Sequence, residues 1–221
     1  MASAAPFVLI AAGAALLLLP AAAGANIAPS LGLGGESDAA STGLGDILNG
    51  ATGDWMDMTN SSAGGWAGDP TANRQAFLDM IAHSEIGSAL LEETDNGYNV
   101  LVGATPGNPL TFSDYSRHPR ILNRALNSTA AGRYQINWPT YQTLSAQTGL
   151  SDFSPSTQDA MALQLAANKG ALADIDAGNI QTAIAKCARV WASFPSAGYG
   201  QHENSLDALL AAYQGAGGTI A

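Results

Sequence analysis

Residues 77–85 read Phe-Leu-Asp-Met-Ile-Ala-His-Ser-Glu, and this run ends an apolar helix face with a carboxylic acid. Phe77, Met80 and Ile81 recur at helical spacing, and Glu85 continues their stripe beyond Ile81. Burying a charged carboxylate costs several kcal/mol unless it is paired. The sequence therefore predicts that Glu85 lies where the core-facing stripe meets a loop, with a pKa raised in favour of the protonated form.

The dipeptide Asp69-Pro70 marks the start of this helix. Aspartate caps free backbone N–H groups, and proline suits the first helical position. We therefore predict a helix from Pro70 to about Ser84.

Turn signals, one strand-like run and further helices follow. Asp95-Asn96-Gly97 is a turn signal before the strand-like run from Tyr98 to Val102, so we expect a small β-hairpin beside the first helix. Start and stop residues predict three more helices: one opened by Ser154-Pro155 and ended by Gly170, one opened by Asn179, and one from Ser205 to Gln214. The predicted fold class is α+β and mostly helical.

The N-terminal third has a different composition. Residues 6–25 form a nearly continuous apolar run, about 20 residues and just long enough to cross a bilayer as a helix. Small-residue cleavage sites near residues 21–25 also suit a signal peptide, although no Lys or Arg flanks the run. We expect residues 1–25 to be a retained membrane segment; a cleaved signal and a helix buried in a protein assembly are the alternatives. Residues 26–68, rich in Gly, Ser, Ala, Asn and Asp, predict a flexible tether, and residues 69–221 one catalytic domain.

Charge and cysteine content exclude several classes of function. The chain has 18 acidic and 8 basic residues and a net charge of −10, which argues against nucleic acid as a partner. The single cysteine, Cys187, cannot close an internal disulfide and is predicted to be a buried, inert thiol. We interpret His118 as a capping or surface histidine, because no second ligand lies at metal spacing. No metal and no cofactor are predicted.

The chemistry that suits Glu85 is cleavage of a glycosidic bond. This reaction needs an acid that protonates the leaving oxygen, and a carboxyl group in an apolar pocket can hold that proton near neutral pH. Position alone does not distinguish Glu85, because most glutamates at helix ends are solvated surface groups.

Ordered blocks of sequence along residues 74–219 are the main support for Glu85 as a catalytic acid. They are Phe77 to Ala82 leading into Ser84-Glu85, Thr94 to Gly97, Gly97 to Gly103, Phe112 to Arg120, Ala131 to Gln135, Asp152 to Ala160, Lys169 to Leu172, and Trp191 to Gln201. Together these blocks resemble the lambda-type phage endolysin family. Blocks that keep their order across a whole domain are far more specific than one short motif.

The resemblance implies a lysozyme-like fold with a cleft between a helical lobe and a hairpin lobe, and it implies lytic transglycosylation of peptidoglycan glycan strands. In that family the Ser-Glu glutamate, here Glu85, protonates the oxygen linking N-acetylmuramic acid to N-acetylglucosamine. The muramyl 6-hydroxyl then attacks the anomeric carbon and gives a 1,6-anhydro product. One carboxyl group serves as acid and then as base, so no second carboxylate is needed to activate water.

The chain departs from the family pattern at two places. Asn99 stands where the family often has Asp after Gly-Tyr, and an amide cannot act as a base. An insertion from Ile86 to Glu93 separates Glu85 from the Thr-Asp-Asn-Gly block, so we expect the rim of the cleft to differ.

The candidate substrate contacts are aromatic residues, whose ring faces can pack on sugars, and amide residues, which can hydrogen-bond N-acetyl groups. They are Tyr98, Asn99, Tyr134, Gln135, Tyr199 and Gln201. The alternative is that Tyr134 packs in the core while Arg133 pairs with a structural carboxylate. Asp95 and Glu92 or Glu93 are weaker candidates for a second acid.

Two alternatives to the transglycosylase remain open. One is a hydrolytic muramidase or chitinase-like enzyme on the same fold, and the other is a non-catalytic virion or wall-binding component. The apolar segment predicts an enzyme that is membrane-anchored through residues 6–25 or virion-associated, with other virion proteins as candidate partners, and that acts in the bacterial periplasm. Secretion after signal cleavage is the alternative.

Overall fold

The computed structural model describes residues 70–200 and 202–221. These residues contain seven helices: α1 (Pro70–Glu85), α2 (Ser88–Glu93), α3 (Trp138–Thr148), α4 (Pro155–Asn168), α5 (Leu172–Asp176), α6 (Ile180–Cys187) and α7 (Leu206–Gly215). The predicted apolar segment, the tether and the predicted cap Asp69 lie outside the described residues. Within the described ranges, no helix has the length and hydrophobicity needed to span a membrane.

Helix α1 lies at the centre of the fold, where it packs against α4, α5 and α7. Phe77 and Met80 are fully buried as predicted, but Leu78 and Ala82 are buried too. The apolar stripe is therefore part of a helix that is covered on most of its sides by other helices. Helix α1 ends at Glu85, one residue beyond the predicted end.

The three later helices that the sequence predicts are present. Ser154 accepts a hydrogen bond from the Thr157 N–H at the start of α4. Asn179 occupies the N-cap position of α6, and Ser205 accepts from the Ala208 N–H at the start of α7. The side chains of Ser154 and Ser205 satisfy N–H groups that a helix start leaves free, whereas Asn179 makes no side-chain capping bond.

Helices α2, α3 and α5 were not predicted. Helix α3 has clear signals, because Asn137 accepts from the Thr140 N–H at its start and Gly149, with φ 75°, ends it. Helices α2 and α5 contain only six and five residues, too short for a periodic pattern to show.

The predicted β-hairpin is present only as isolated antiparallel bridges: Val100 pairs with Thr111, and the N–H groups of Leu101 and Phe112 donate to Leu110 O and Asn99 O. No continuous strand forms in the described part of the chain. Tight turns explain the difference: the N–H groups of Val100 and Ala104 bond to Gly97 O and Leu101 O, so they are not available to a ladder. We call residues 94–137 the loop lobe.

Gln158 of α4 fixes the loop lobe to the helical part. Its side chain is fully buried, donates to Tyr98 O at 3.0 Å and accepts from the Arg133 N–H at 2.9 Å. Gly132, with φ 78°, lies directly against the Gln158 side chain, where a Cβ atom would clash. The buried amide of Gln158 is therefore one of the links, with the bonds of Tyr98 and Tyr134 to Asp159, that join the loop lobe to α4.

Candidate active site

Glu85 is the last residue of α1 and is only 5% exposed. The turn continues for two residues, since Ile86 N–H donates to Ala82 O and Gly87 N–H to His83 O. Gly87, with φ 82°, then ends it. A carboxyl group that the sequence places at the end of an apolar face is thus buried at the junction of α1 with a loop, as predicted.

Burial raises the pKa of Glu85 from 4.5 to about 7, and two hydrogen bonds from Ser193 partly oppose that rise. The ion pairs among the described residues join Arg74 to Asp176, Arg133 to Asp79, and Lys186 to Asp174. None of them involves Glu85, so no cation stabilises its charged form. The carboxyl group therefore exchanges a proton near neutral pH.

Ser193 provides both hydrogen bonds to Glu85. Its hydroxyl donates to Oε1 at 2.5 Å and its N–H reaches the same oxygen at 3.4 Å. The Ser193 Oγ also lies 2.6 Å from the Ser84 Oγ, and Asn204 Nδ2 donates to the Ser84 Oγ at 2.9 Å. Sequence analysis did not identify these three polar residues as part of the site. The only signal was that Ser84 and Ser193 lie inside the recurring blocks.

Tyr98 and Tyr134 lie together, but in a polar cluster inside the protein. Both hydroxyls donate to Asp159, at 2.9 Å and 2.5 Å, and Arg133 lies over the Tyr98 ring while it pairs with Asp79. Tyr134 is 1% exposed, so its ring offers no face to a sugar. The structure thus shows the core packing of Tyr134 and the structural ion pair of Arg133 that the sequence left as an alternative.

Asn99 and Gln135 both lie in the loop lobe. Asn99 Oδ1 accepts from the Asp95 N–H at 3.2 Å. Gln135 has a left-handed backbone, with φ 48°, and its Nε2 donates to Gly132 O at 2.9 Å. Its Oε1 is buried and has no hydrogen-bond partner among the described residues. A strained backbone and an unsatisfied buried acceptor are features that cluster at functional sites.

The remaining predicted substrate contacts are Tyr199 and Gln201, of which the structure describes only Tyr199. The Tyr199 hydroxyl donates to Arg189 O at 3.0 Å, and its ring is half-buried. Gln201 lies outside the described residues. Among the candidates for a second acid, Glu92, Glu93 and Asp95 are all exposed, and Asp95 accepts from the Tyr115 hydroxyl at 2.5 Å.

The prediction that His118 lies on the surface is wrong, because its side chain is buried. It is 2% exposed and packs against Trp138, Tyr141 and Phe153. Its Nδ1 accepts from the Arg120 N–H at 3.0 Å within a loop, so it caps no helix, and its Nε2 lies 2.9 Å from Ile136 O. Burial lowers its pKa. Aromatic residues from α3 and the segment before α4 cover it, which a local reading of His-Pro does not show.

Cys187 is fully buried on α6, and burial raises its pKa to about 12. This agrees with the predicted inert thiol. No cluster of three or more His, Cys, Asp or Glu side chains suited to a metal ion occurs within residues 70–200 and 202–221.

The fold of the described residues is similar to that of solved phage lysozymes. A structure described as bacteriophage lambda lysozyme complexed with a chitohexasaccharide matches with a TM-score of 0.62 and 47% identity, covering 68% of this chain and 97% of that one. A second, described as lysozyme from bacteriophage lambda, matches with a TM-score of 0.58 and 46% identity over the same shares. The fold is lysozyme-like.

Comparison of sequences gives the family. A family model described as Endolysin matches residues 75–220. The chain is 48% identical to the endolysin of Escherichia phage lambda over 151 residues, which cover 66% of this chain and 92% of that protein. It is 47% identical to the endolysin of Escherichia phage P2 over 161 residues, or 67% and 95% of the two chains. The chain belongs to the endolysin family, which confirms the resemblance found in the sequence.

Proposed function

We propose that this endolysin degrades peptidoglycan as a lytic transglycosylase, with Glu85 as its catalytic acid. The observation that carries the proposal is the buried, uncompensated carboxyl group of Glu85, whose pKa of about 7 keeps a proton available at neutral pH. A relative of known structure, lambda lysozyme, is described as complexed with a chitohexasaccharide, which supports a glycan as substrate here.

The proposed reaction returns its proton to the enzyme. Glu85 protonates the oxygen between N-acetylmuramic acid and N-acetylglucosamine, and the bond from that oxygen to the muramyl anomeric carbon breaks. The Glu85 carboxylate then takes the proton of the muramyl 6-hydroxyl as its oxygen bonds to the anomeric carbon. The products are a free 4-hydroxyl on N-acetylglucosamine and a 1,6-anhydro-muramyl end, and Glu85 is again protonated.

Among the described residues, none of the candidate second acids shares the buried environment of Glu85, which supports this reaction over hydrolysis. Hydrolysis by two carboxyl groups needs a second one beside the scissile bond. The candidates Asp95, Glu92 and Glu93 are exposed, and Asp95 and Glu93 already accept hydrogen bonds from Tyr115 and Gly107. Transglycosylation needs only Glu85.

A non-catalytic wall-binding role does not explain why the protein keeps a buried carboxyl group at position 85, which costs folding free energy. A buried carboxyl group without a cation destabilises the fold when it ionises, and a binding module gains nothing from that cost. Gln135 remains a proposed substrate contact because an amide can hydrogen-bond an N-acetyl group, and its Oε1 has no protein partner within the described residues. Asn99, Tyr98 and Tyr199 remain proposed contacts, and so does Gln201.

Mass spectrometry of muropeptides tests the reaction. Purified sacculi are digested with wild type, Glu85→Gln and the control Asp207→Asn, whose side chain is exposed on α7. We expect anhydro-muropeptides from wild type and the control and none from Glu85→Gln. New reducing ends, detected by borohydride reduction, would show hydrolysis instead, and an active Glu85→Gln would reject Glu85 as the acid.

The location of the enzyme is a separate proposal that rests on residues 6–25, an apolar run of membrane-spanning length. We propose that the enzyme is membrane-anchored or virion-associated and acts in the periplasm. Fractionation of infected cells and purified particles tests this. Recovery of only soluble protein that lacks residues 1–25 would reject the anchor and favour a cleaved signal.

A further inference from the structure

A hydrogen-bonded chain of four side chains ends on the carboxyl group of Glu85. Asn204 Nδ2 donates to the Ser84 Oγ at 2.9 Å, the Ser84 and Ser193 hydroxyls are 2.6 Å apart, and the Ser193 hydroxyl lies 2.5 Å from Glu85 Oε1. The chain joins three parts of the sequence: the end of α1, the segment after α6 and the residues before α7. Asn204 is further fixed because its N–H donates to Ser193 O at 2.8 Å.

Only one set of hydrogen-bond directions satisfies this chain when Glu85 is ionised. An amide nitrogen only donates, so the Ser84 oxygen accepts from Asn204. A carboxylate only accepts, so the Ser193 hydroxyl donates to Glu85. The proton between the two serines must therefore belong to Ser84, and the chain runs from Asn204 through Ser84 and Ser193 to Glu85.

We propose that Asn204 is a positioning residue that acts through Ser84 and Ser193, holding Oε1 of Glu85 as an acceptor so that the acidic proton resides on Oε2. The catalytic meaning of this inference rests on the proposed function of Glu85. Oε1 already accepts from the hydroxyl and the N–H of Ser193, so a proton on that oxygen would oppose two donors. The same bond directions serve both protonation states when the proton is on Oε2. The chain therefore needs no reorganisation as the proton leaves and returns, which is the advantage of a preorganised polar site.

Besides burial, two hydrogen bonds act on the ionisation of Glu85 among the described residues: one from the Ser193 hydroxyl, which ends the chain, and a longer one from the Ser193 backbone N–H. Three titratable residues lie near Glu85 or Asn204 in the sequence. His83 and His202 are exposed, and Glu203 accepts from the N–H groups of Ser196 and Gly198. A change in the pKa of Glu85 on substitution of Asn204 is therefore expected to pass through the two serines.

Substitution of Asn204 by Asp reverses the bond directions in the hydrogen-bonded chain and also removes the longer bond, 3.4 Å, from Asn204 Nδ2 to Ser84 O. A carboxylate at position 204 accepts the Ser84 proton, Ser84 then accepts from Ser193, and Glu85 loses its hydroxyl donor. We expect Asn204→Asp to raise the pKa of Glu85 by about one unit or more, since the ionised carboxyl group loses a charge-assisted hydrogen bond. The pKa of Glu85 is measured in the full-length protein from the ¹³C chemical shift of its labelled carboxyl carbon.

A double-mutant cycle separates the chain from the new negative charge. The Ser84→Ala substitution interrupts the chain but leaves the charge of Asn204→Asp in place. If the chain carries the effect, Asn204→Asp shifts the pKa of Glu85 by less than about a third as much in the Ser84→Ala background. An equal shift in both backgrounds, or no shift in either, overturns the proposal. Asn179→Asp, which adds the same charge at the exposed N-cap of α6, is the control and is expected to leave the pKa unchanged.

Two further readouts keep the test decisive. Asn204→Ala removes the donor without adding charge, and we expect a smaller rise of about 0.3–0.5 unit that Ser84→Ala abolishes. For the active variants we expect kcat to fall with KM nearly unchanged, because the chain acts on the acid and not on the substrate. A rise in KM alone contradicts the proposal. The carboxyl titration does not depend on activity, so failure of this proposal is distinct from an active Glu85→Gln, which refutes the proposed function.

Discussion

The Ser193 hydroxyl donates a 2.5 Å hydrogen bond to Oε1 of Glu85 and joins two residues that lie 108 positions apart in the sequence. Burial raises the pKa of Glu85, and this bond limits the rise to about 7. The two opposing effects place the acid where both of its protonation states are populated at neutral pH. The fold thus sets the acidity of one helix-terminal residue by bringing a distant loop against it.

Removal of that donor should make Glu85 a weaker acid. We expect Ser193→Ala to raise the pKa of Glu85 above 7 by about one to two units, because the charged form loses its strongest hydrogen bond. The fall of kcat/KM on the alkaline side should move to higher pH by the same amount, since the acid must be protonated to act. The pH profile of turbidity loss in peptidoglycan suspensions measures this. Ser88→Ala, an exposed serine of α2, is the control, and an unmoved alkaline limb in Ser193→Ala would contradict the expectation.

The raised pKa of Glu85 also predicts how stability depends on pH. Between pH 4.5 and about 7 the folded state binds more protons than the unfolded state, so the free energy of unfolding decreases as pH rises through this range. Glu85→Gln removes that dependence. We expect the variant to be more stable than wild type by about 3 kcal/mol at pH 8.5 and the difference to shrink below pH 5. Urea unfolding followed by circular dichroism at several pH values measures it, with Glu92→Gln as the control. A constant difference at all pH values would mean that the pKa of Glu85 is not raised.

Tyr134 offers a test of core packing against substrate binding. Tyr134→Phe keeps the ring but removes the hydroxyl that donates to Asp159 at 2.5 Å. Since Asp159 is then left with one tyrosine donor, we expect a loss of about 1–3 kcal/mol in the free energy of unfolding. The KM of the folded variant should remain within about twofold of wild type. A large rise in KM with unchanged stability would instead assign Tyr134 to the substrate.

Gly132 is expected to be essential to the attachment of the loop lobe. Gly132→Ala combines a left-handed backbone, φ 78°, with a clash between the new Cβ and Gln158. We expect a destabilisation of about 2–4 kcal/mol. Gly149→Ala is the matched control, because its φ is 75° but no atom lies within 4 Å of the added Cβ, and its cost should be about 1 kcal/mol. Equal effects in the two variants would show that the contact with Gln158 does not matter.

Local chemistry made part of this fold predictable. Ser154-Pro155, Asn179 and Ser205 each begin a helix because their effects act within one turn of the chain. Glu85 was identified from the apolar positions before it and from the blocks shared with endolysins. The raised pKa follows from the same placement, because an acid on a buried face is desolvated.

Features that depend on distant contacts were not predictable. The hairpin expected at Tyr98 to Val102 is reduced to bridges, because turn hydrogen bonds and the buried amide of Gln158 fix that backbone. The partners of Glu85 were missed for the same reason. Ser193 and Asn204 are ordinary polar residues in sequence, and they become part of the site only when the segments around α6 and α7 fold against the end of α1.

The central claim is that Glu85 is a buried acid that holds its proton near neutral pH. The most direct test is a pH titration of its ¹³C-labelled carboxyl carbon by NMR in the wild-type chain, with Glu85→Gln used to assign the resonance. We predict a midpoint of about 7. A midpoint near 4.5, the value of an ordinary solvated glutamate, would contradict the account.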